Sequence, residues 1–564
     1  MIPRSPSKQA FAKSQRCGQS ENHTSRRTRT IDLAKLLRRS SATVDLGGYY
    51  LPLYPMTHRQ CSNAALIMMI DSILRQAMSV GLLGCVCVLG TLSAGTAWAA
   101  KPNVVLVLTD DQAPWAFAEA VRSGQFSDVP IPSTPNMDRL AAEGAVFRNF
   151  FCTTPVCSPA RATLMTGRYA SELGIKDFIP QPGHKLYDPD SPIHLDPDNT
   201  VTFAEVMQQQ GYTTGLVGKW HLGDWTANGD SGKHPTRHGF DSFMGLTGGG
   251  TTPDNPELEL NGKVQQFQGL TTDILTDHAI DFVEQNADRP FFLCLSTRAP
   301  HGRWLPVAPE DWQPYEEMDP TIPQYPDLDT DWVRKKMKEY LASTSGVDRN
   351  LGRLLKTLDA QELTSNTIVI FTSDHGFNMG HHGIYHKGNG IWATRQKPPG
   401  KFHQGTRVIS DKYRPNLYDH SLRVPAIVRW PGVVKPSAVI EATASHLDWF
   451  PTLCAIAGDG SSAKDLPGRD LSPLLKGELQ DDWDQAQYFE YDMINYAVAS
   501  LRGYRTPEYK LIRDRHNEGC DEFYDLTTDP DETVNLIRNP GSQAVIKRLD
   551  AKLRAMEKKL EGRR

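Results

Sequence analysis

Short runs made almost wholly of apolar residues recur along the chain at 104–108, 214–217, 291–295, 368–371 and 424–428. They are too short for buried helices and lack the alternation of a strand with one wet face, so they predict buried strands of a parallel sheet covered on both sides. Stretches with helical spacing of apolar positions lie between them, at 137–143, 203–210, 274–286 and 334–358. Strands and helices in alternation predict an α/β fold. Beyond about residue 488 the texture changes to short alternating segments at 498–504, 509–513 and 522–526, followed by a charged helix over 543–560. The pattern divides the chain into a large domain over 100–480 and a small antiparallel unit over 481–564. The length that follows residue 99 exceeds one ordinary core, which agrees with that division.

The first 99 residues show none of this alternation. An apolar stretch over 78–92, preceded by Arg75, runs into small residues ending Ala97-Trp98-Ala99, the pattern of a secretory signal over about 68–99 cleaved after Ala99 or Ala100. The stretch is broken by Gly84, Gly90 and Ser93 and falls short of the roughly 18 apolar residues a spanning helix needs. Export to the periplasm or the medium, with no stable membrane span, is the expectation. Leu82-Leu83-Gly84-Cys85 loosely resembles a lipobox and leaves a lipoprotein anchor as the alternative. Residues before about 68 are rich in Arg, Ser and Thr without periodicity and read as lying upstream of the true start, a genuine basic leader being the alternative.

Removing this leader changes the charge. Residues 1–99 hold 12 Lys and Arg against 4 Asp and Glu, which leaves 49 basic and 62 acidic groups in the remainder. So acidic a body excludes nucleic acid as an expected partner. Of nine cysteines, five lie beyond residue 99, at 152, 157, 294, 454 and 520, too few for a disulfide framework in a chain this long, and no bridge is assigned.

Four of the apolar runs are each followed within a few residues by a polar cluster: Asp110-Asp111, Lys219 with His221, His301, and Asp374-His375. Ligands of open α/β sheets bind outside the carboxyl ends of the strands, so these groups are expected to converge on one crevice. Asp110, Asp111 and Asp374 offer hard carboxylate oxygens suited to calcium or magnesium, the alternative for the first pair being a helix cap. Cys157-Ser158-Pro159-Ala160-Arg161 opens a helix expected to run to about Arg168, and its N-terminus favours an anion.

That pentad, with Leu164, Thr166, Gly167 and Arg168 behind it, resembles the signature of the type I, formylglycine-dependent sulfatases. Asp110-Asp111, Gly218-Lys219-Trp220-His221-Leu222-Gly223, Pro300-His301 and Asp374-His375-Gly376 with Lys387 beyond follow in that family's order, so the resemblance spans residue 101 to the C-terminus. It implies an alkaline-phosphatase-like fold, a large mostly parallel sheet flanked by helices with a small C-terminal antiparallel subdomain. It implies that Cys157 is oxidised to formylglycine by a formylglycine-generating or sulfatase-maturing enzyme, and that its hydrate attacks sulfur. Asp110, Asp111, Asp374, His375 and the modified Cys157 would ligate Ca2+, or Mg2+. Arg161 would hold the hydrate and Lys219 and Lys387 the sulfate oxygens, while His301 protonates the leaving oxygen and His221 removes the proton that regenerates the aldehyde. The substrate would be a sulfated small molecule or glycan.

Two departures stand out. His375 replaces the asparagine of many relatives, and a long insertion over 388–416 separates Lys387 from Tyr418-Asp419-His420-Ser421-Leu422-Arg423-Val424-Pro425. With Trp392, Arg395, Lys397, Lys401 and Arg407 it is expected to form part of the substrate rim, beside the loops 247–254 and 303–329. Rival readings are a phosphonate or phosphate monoester hydrolase of the same superfamily and a non-catalytic binder of sulfated glycans.

Overall fold

The run at 104–108 becomes β1 (Asn103–Thr109), a strand buried along its whole length. The structure, a computed structural model, describes residues 101–563 apart from 191–192, 224–230, 247, 404–405 and 479–480. The leader and signal pattern expected over 1–99 lie outside the described residues. With β1, the strands β2 (Ala145–Phe147), β3 (Thr213–Lys219), β4 (Ser242–Leu246), β5 (Glu257–Leu260), β6 (Lys263–Gln266), β7 (Phe291–Ser296), β8 (Thr367–Ser373), β9 (Ala426–Arg429) and β10 (Ala438–Ile440) form one sheet. Their spatial order among the described residues is β10-β2-β9-β8-β1-β7-β3-β4-β5-β6. Its centre, β8-β1-β7-β3-β4, is parallel throughout. All the carboxyl ends of these strands therefore lie along one edge.

The run at 424–428 corrects the expectation of a parallel strand: β9 lies antiparallel to both β8 and β2. An apolar run records burial on two faces and carries no direction.

Helices α1 (Pro135–Ala142), α2 (Cys157–Thr166), α3 (Phe203–Gln209), α4 (Thr271–Gln285), α5 (Thr330–Ala360) and α6 (Trp449–Ala457) flank the sheet. Successive side chains of β1 point to opposite faces. Val104, Leu106 and Leu108 meet α2, α3 and α6 through Leu164, Phe203 and Trp449. Val105 and Val107 meet α1, α4 and α5 through Leu140, Leu275 and Leu354. None of the described helices is long and apolar enough to cross a membrane.

Beyond residue 486 an antiparallel meander, β11 (Gln487–Met493), β12 (Ala499–Arg505), β13 (Tyr509–Asp514) and β14 (Glu522–Asp525), is covered by α7 (Gln543–Glu561). β11 is missing from the sequence reading because six of its seven residues are buried, leaving no alternation to see. Phe489 and Tyr491 share a hydrophobic cluster with Phe151, Val156 and Ala160, so the meander is seated against the start of α2.

A buried ion cluster reinforces this seat. Arg505, Lys510 and Arg423 converge on Asp419 at 2.8–3.0 Å, and Lys510 also pairs with Glu532 at 2.6 Å. Burial would raise the Asp419 carboxyl, but Arg505, Lys510 and Arg423 hold it well below the ordinary carboxylate range. Asp419→Ala would leave buried cations without their counter-charge, and chemical denaturation should show a loss of about 3–5 kcal/mol. A loss below about 1 kcal/mol would mean that the cluster is solvated and carries little of the seat.

Candidate active site

Every strand of the parallel centre except β4 delivers a polar group at its carboxyl end. Asp110 and Asp111 follow β1, Lys219 ends β3, Ser296 ends β7 with His301 five residues on, and Asp374 and His375 follow β8. The convergence expected from the sequence is what the fold builds, and α2 brings Cys157 to the same edge. Gly218 makes this approach possible: its φ is +113°, and a Cβ there would stand 1.9 Å from the carbonyl oxygen of Ser296. Asp111 and His221 adopt the left-handed region, at φ 66° and 57°, without being glycine. Such strain clusters at functional sites.

Cys157 opens α2 and is 3% exposed. Its Sγ lies 3.6 Å from Asp110 Oδ1 and 3.4 Å from His375 Nε2, and accepts a hydrogen bond from Lys387 Nζ at 2.8 Å. Lys387 also donates to Asp111 Oδ1 at 2.6 Å, and Lys219 Nζ donates to Asp110 Oδ2 at 2.5 Å. Arg161 stands behind the cluster, donating to Asp374 Oδ2, the carbonyl of Lys219 and Ser296 Oγ at 2.7–3.1 Å. Its Nη2 has no hydrogen-bond partner and is 3.9 Å from Asp110 Oδ2. α2 ends at Thr166, two residues short of the expected Arg168, because Gly167 turns left-handed at φ 65°.

The three carboxyls do not ionise alike. Burial opposes the charge on each. Lys219, His301 and Arg161 overcome it at Asp110, and Lys387, His301 and His375 at Asp111, holding both well below the ordinary range. At Asp374 burial and the neighbouring Asp110 prevail and raise the carboxyl. His375 donates from Nδ1 to the carbonyl of Gly376 at 3.0 Å, which leaves Nε2 facing Asp111 Oδ1 at 3.2 Å. Burial lowers this imidazole, yet Asp374 and Asp111 raise it to about 9. A cation is thus favoured at Nε2, whether proton or metal.

The ligand atoms of Asp110, Cys157, Asp374 and His375 lie within 4.8 Å of one another, as do those of Asp110, Asp111, Cys157 and His301. Asp111 Oδ2 is buried without a hydrogen-bond partner. This oxygen-rich set with one imidazole and an orphaned carboxylate oxygen fits a divalent cation.

Cys157, His221, His301 and Lys387 line a cleft of about 770 Å³. His221 donates from Nε2 to the carbonyl of Ile179 at 3.1 Å, so its buried Nδ1 keeps a lone pair and has no partner. Burial, with Lys219 and Arg161, holds it well below the usual imidazole range, and it is neutral at pH 7. His301 is half-buried and donates from Nδ1 to the carbonyl of Gly302 at 2.7 Å. Its Nε2 is 3.9 Å from Asp111 Oδ2, and burial lowers it to about 4 against the pull of Asp111.

The insertion over 388–416 departs from expectation. Among the described residues only Asn389 of this segment lines the cleft. Lys397 is turned onto the carbonyls of Trp392 and Thr394, and Trp392 and Lys401 line a separate cavity against the C-terminal meander. The segment folds back as short hairpins, Ile384–Tyr385 with Ile391–Trp392 and Lys401–His403 with Thr406–Ile409. Loops 247–254 and 303–329 do reach the cleft, through Gly249 to Thr252 and Arg303.

Sequence reasoning missed the opposite wall. Asp177, buried, accepts from the backbone N–H of Phe178, Ile494 and Asn495 at 2.8–3.0 Å and from Tyr491 Oη at 3.3 Å. It ties Phe178 and Ile179 to the turn after β11, where Tyr496 enters the cleft. No local pattern announces it, since its partners lie more than 300 positions away apart from the adjacent N–H. His381, His382 and His420 are absent from the cleft lining: the His381 ring stacks on that of His420 at 3.7 Å, and the His382 ring stacks on that of Tyr418 at 3.7 Å.

Residues 102–459 match the family described as sulfatase, and residues 410–559 match the family described as N-sulphoglucosamine sulphohydrolase, C-terminal. The chain is 27% identical over 522 residues to an N-acetylglucosamine-6-O-sulfatase of Bacteroides thetaiotaomicron, covering 77% of this chain and 82% of the relative. It is 30% identical over 476 residues to an ulvan-active sulfatase of Formosa agariphila, covering 80% of each. It is 30% identical over 455 residues to steryl-sulfatase of Rattus norvegicus, covering 67% and 71%. The fold superposes with a TM-score of 0.65 and 24% identity on a protein solved in complex with its substrate D-glucosamine-2-N,6-O-disulfate, covering 82% of this chain and 98% of that one. It superposes with a TM-score of 0.59 and 22% identity on the phosphonate monoester hydrolase of Agrobacterium radiobacter, covering 81% and 96%.

Proposed function

The chain belongs to the sulfatase family of the alkaline-phosphatase-like superfamily and is a sulfuric ester hydrolase, and from this premise we propose that it is an exported enzyme that cleaves sulfate esters of carbohydrates with a formylglycine made from Cys157. The observation that carries this reading is the placement of Cys157: first residue of α2, against Asp110 and His375, with Lys387 Nζ 2.8 Å from its sulfur. The thiol marks where the oxygen nucleophile of the modified residue would stand. The sugar substrates in the names of two of the relatives support the carbohydrate class. The apolar stretch over 78–92 with its Ala97-Trp98-Ala99 end supports export.

Asp110, Asp111, Asp374 and His375 would hold the divalent cation, calcium first and magnesium second, which when bound supplies positive charge to offset that of the sulfuryl oxygens. The chain's own groups divide the remaining work. Arg161 fixes the orientation of Asp374. Lys387 and Lys219 bring two ammonium groups to the Asp111 and Asp110 side of Cys157, where an entering sulfate adds negative charge. The His301 Nδ1–H is committed to the Gly302 carbonyl, so Nε2 is the nitrogen that gives a proton to the departing oxygen. An anionic ester in the cleft opposes the burial that lowers His301. His221, neutral and with Nδ1 free, accepts the proton whose removal ends the cycle.

Mass spectrometry of the peptide spanning residue 157, from protein made with a maturing enzyme, should show the loss expected for conversion of thiol to aldehyde. Paired assays on nitrophenyl sulfate and nitrophenyl phosphate should favour the sulfate. An unmodified thiol in fully active protein, or a preference for phosphate, would overturn the reading. The two histidines should also separate by kinetic step. His301→Ala should reduce turnover most for alkyl sulfates, by about 100-fold, and least for nitrophenyl sulfate, whose leaving group needs little protonation. His221→Ala should release about one equivalent of nitrophenol per site in a burst and then nearly stop. A burst in the His301 variant and none in the His221 variant would reverse the two assignments.

A further inference from the structure

Neutral His221 carries one ring hydrogen, and the nitrogen that holds it decides which nitrogen can act as a base. Its Nε2 faces the carbonyl oxygen of Ile179 at 3.1 Å. A carbonyl can only accept, so the hydrogen is on Nε2 and the lone pair on Nδ1. Gly249 packs against this edge of the ring: a Cβ there would stand 2.6 Å from Nε2 and 2.9 Å from Cε1.

The Ile179 carbonyl is itself aimed. Pro180 follows it, and a residue before proline is restricted to extended backbone. The peptide on its other side, between Phe178 and Ile179, is held at both ends. Asn495 Nδ2 donates to the Phe178 carbonyl at 2.8 Å, and the Ile179 N–H donates to Ser158 Oγ at 3.0 Å. Asp177 fastens the turn that supplies Asn495 by accepting from the N–H groups of Phe178, Ile494 and Asn495. Ser158 is fully buried and follows Cys157 on α2, so one turn of helix places both the nucleophile's residue and the group that orients the base.

We propose that Ser158 and Asp177 are positioning residues for the last step of turnover, holding the Ile179 carbonyl where it commits the His221 hydrogen to Nε2 and leaves Nδ1 to accept a proton. Neither residue lines the cleft, so neither acts by touching the ester. The proposal rests on the role given to His221 in the sulfatase reading.

Nitrogen NMR of the protein labelled with isotopic histidine, the His221 signal being identified by its loss in His221→Ala, should show the hydrogen on Nε2. A hydrogen on Nδ1 would overturn the proposal. Ser158→Ala leaves the Ile179 N–H without its acceptor. With nitrophenyl sulfate it should lower kcat and KM together by about 10-fold and keep kcat/KM within about 2-fold, because a slower closing step leaves nitrophenol release untouched. Mass spectrometry of the peptide spanning residue 157 sets the concentration of converted enzyme in each variant. Asp177→Asn should show the same split and carries the kinetic test if Ser158→Ala does not fold. A fall in kcat/KM as large as that in kcat, or an unchanged kcat, would show that these residues do not position the base. A parent enzyme that leaves nitrophenyl sulfate intact would defeat the sulfatase reading itself. Hydrolysis by the parent, with the split present in His221→Ala and absent from both other variants, would defeat this proposal alone.

Discussion

Cys157→Ala should lower sulfate ester hydrolysis by about 10,000-fold or more while the protein remains folded, because losing a nucleophile removes the reaction path rather than one contact along it. The geometry makes a structural explanation easy to recognise. Cys157 contributes one small side chain to a helix otherwise anchored by Leu164 and Met165 in the core. Lys387 keeps its partner Asp111 when the sulfur is gone. The thermal midpoint of the variant should therefore stay within a few degrees of the parent, equivalent to about 1 kcal/mol. Turnover near the parental rate would remove Cys157 from the chemistry. A collapse in stability with activity would call for Cys157→Ser, which retains the size of the group but offers no thiol for conversion.

Removing divalent cation should have the next largest effect. Asp110, Asp111 and Asp374 converge with the orphaned Oδ2 of Asp111 among them, and His375 turns Nε2 toward the same point. Dialysis against a chelator should reduce activity by about 100-fold or more, and calcium should restore it. Readdition should raise the thermal midpoint as well, since a ligand bound only to the folded state stabilises it by mass action, by about 2.7 kcal/mol at 100 times Kd. Asp374→Asn should weaken the calcium response in both measurements. Full activity in chelated protein, with no calcium binding by calorimetry, would show that Lys219, Lys387 and Arg161 balance these carboxylates unaided.

The chain announces its chemistry in local signals. Apolar runs of four or five residues mark β1, β3, β7 and β8, and the polar residues just beyond each run end on one edge because parallel strands share a direction. Asp110, Lys219, His301 and Asp374 could be placed together for that reason alone. The pentad at Cys157 specified a helix start, and Pro159 within the first turn agrees with it.

What the sequence left open depends on contacts between distant segments. The direction of β9 is set by its pairing with β8 and β2, and burial looks alike in either direction. Of the described residues of the insertion over 388–416, basic and aromatic in composition, Asn389 lines the cleft while Trp392 and Lys401 line a separate cavity, and Asp177 draws Ile494 and Asn495 in from more than 300 positions away to build a wall. The sequence by itself determined the buried runs that became β1, β3, β7 and β8, the start of the helix at Cys157, and which reactive groups stand at those strand ends, because these follow from neighbours within a few residues. Only the tertiary structure decided which loops share the cleft, which charges face it and which histidine nitrogen is free, because each of these is fixed by hydrogen bonds and packing between segments that no local spacing relates.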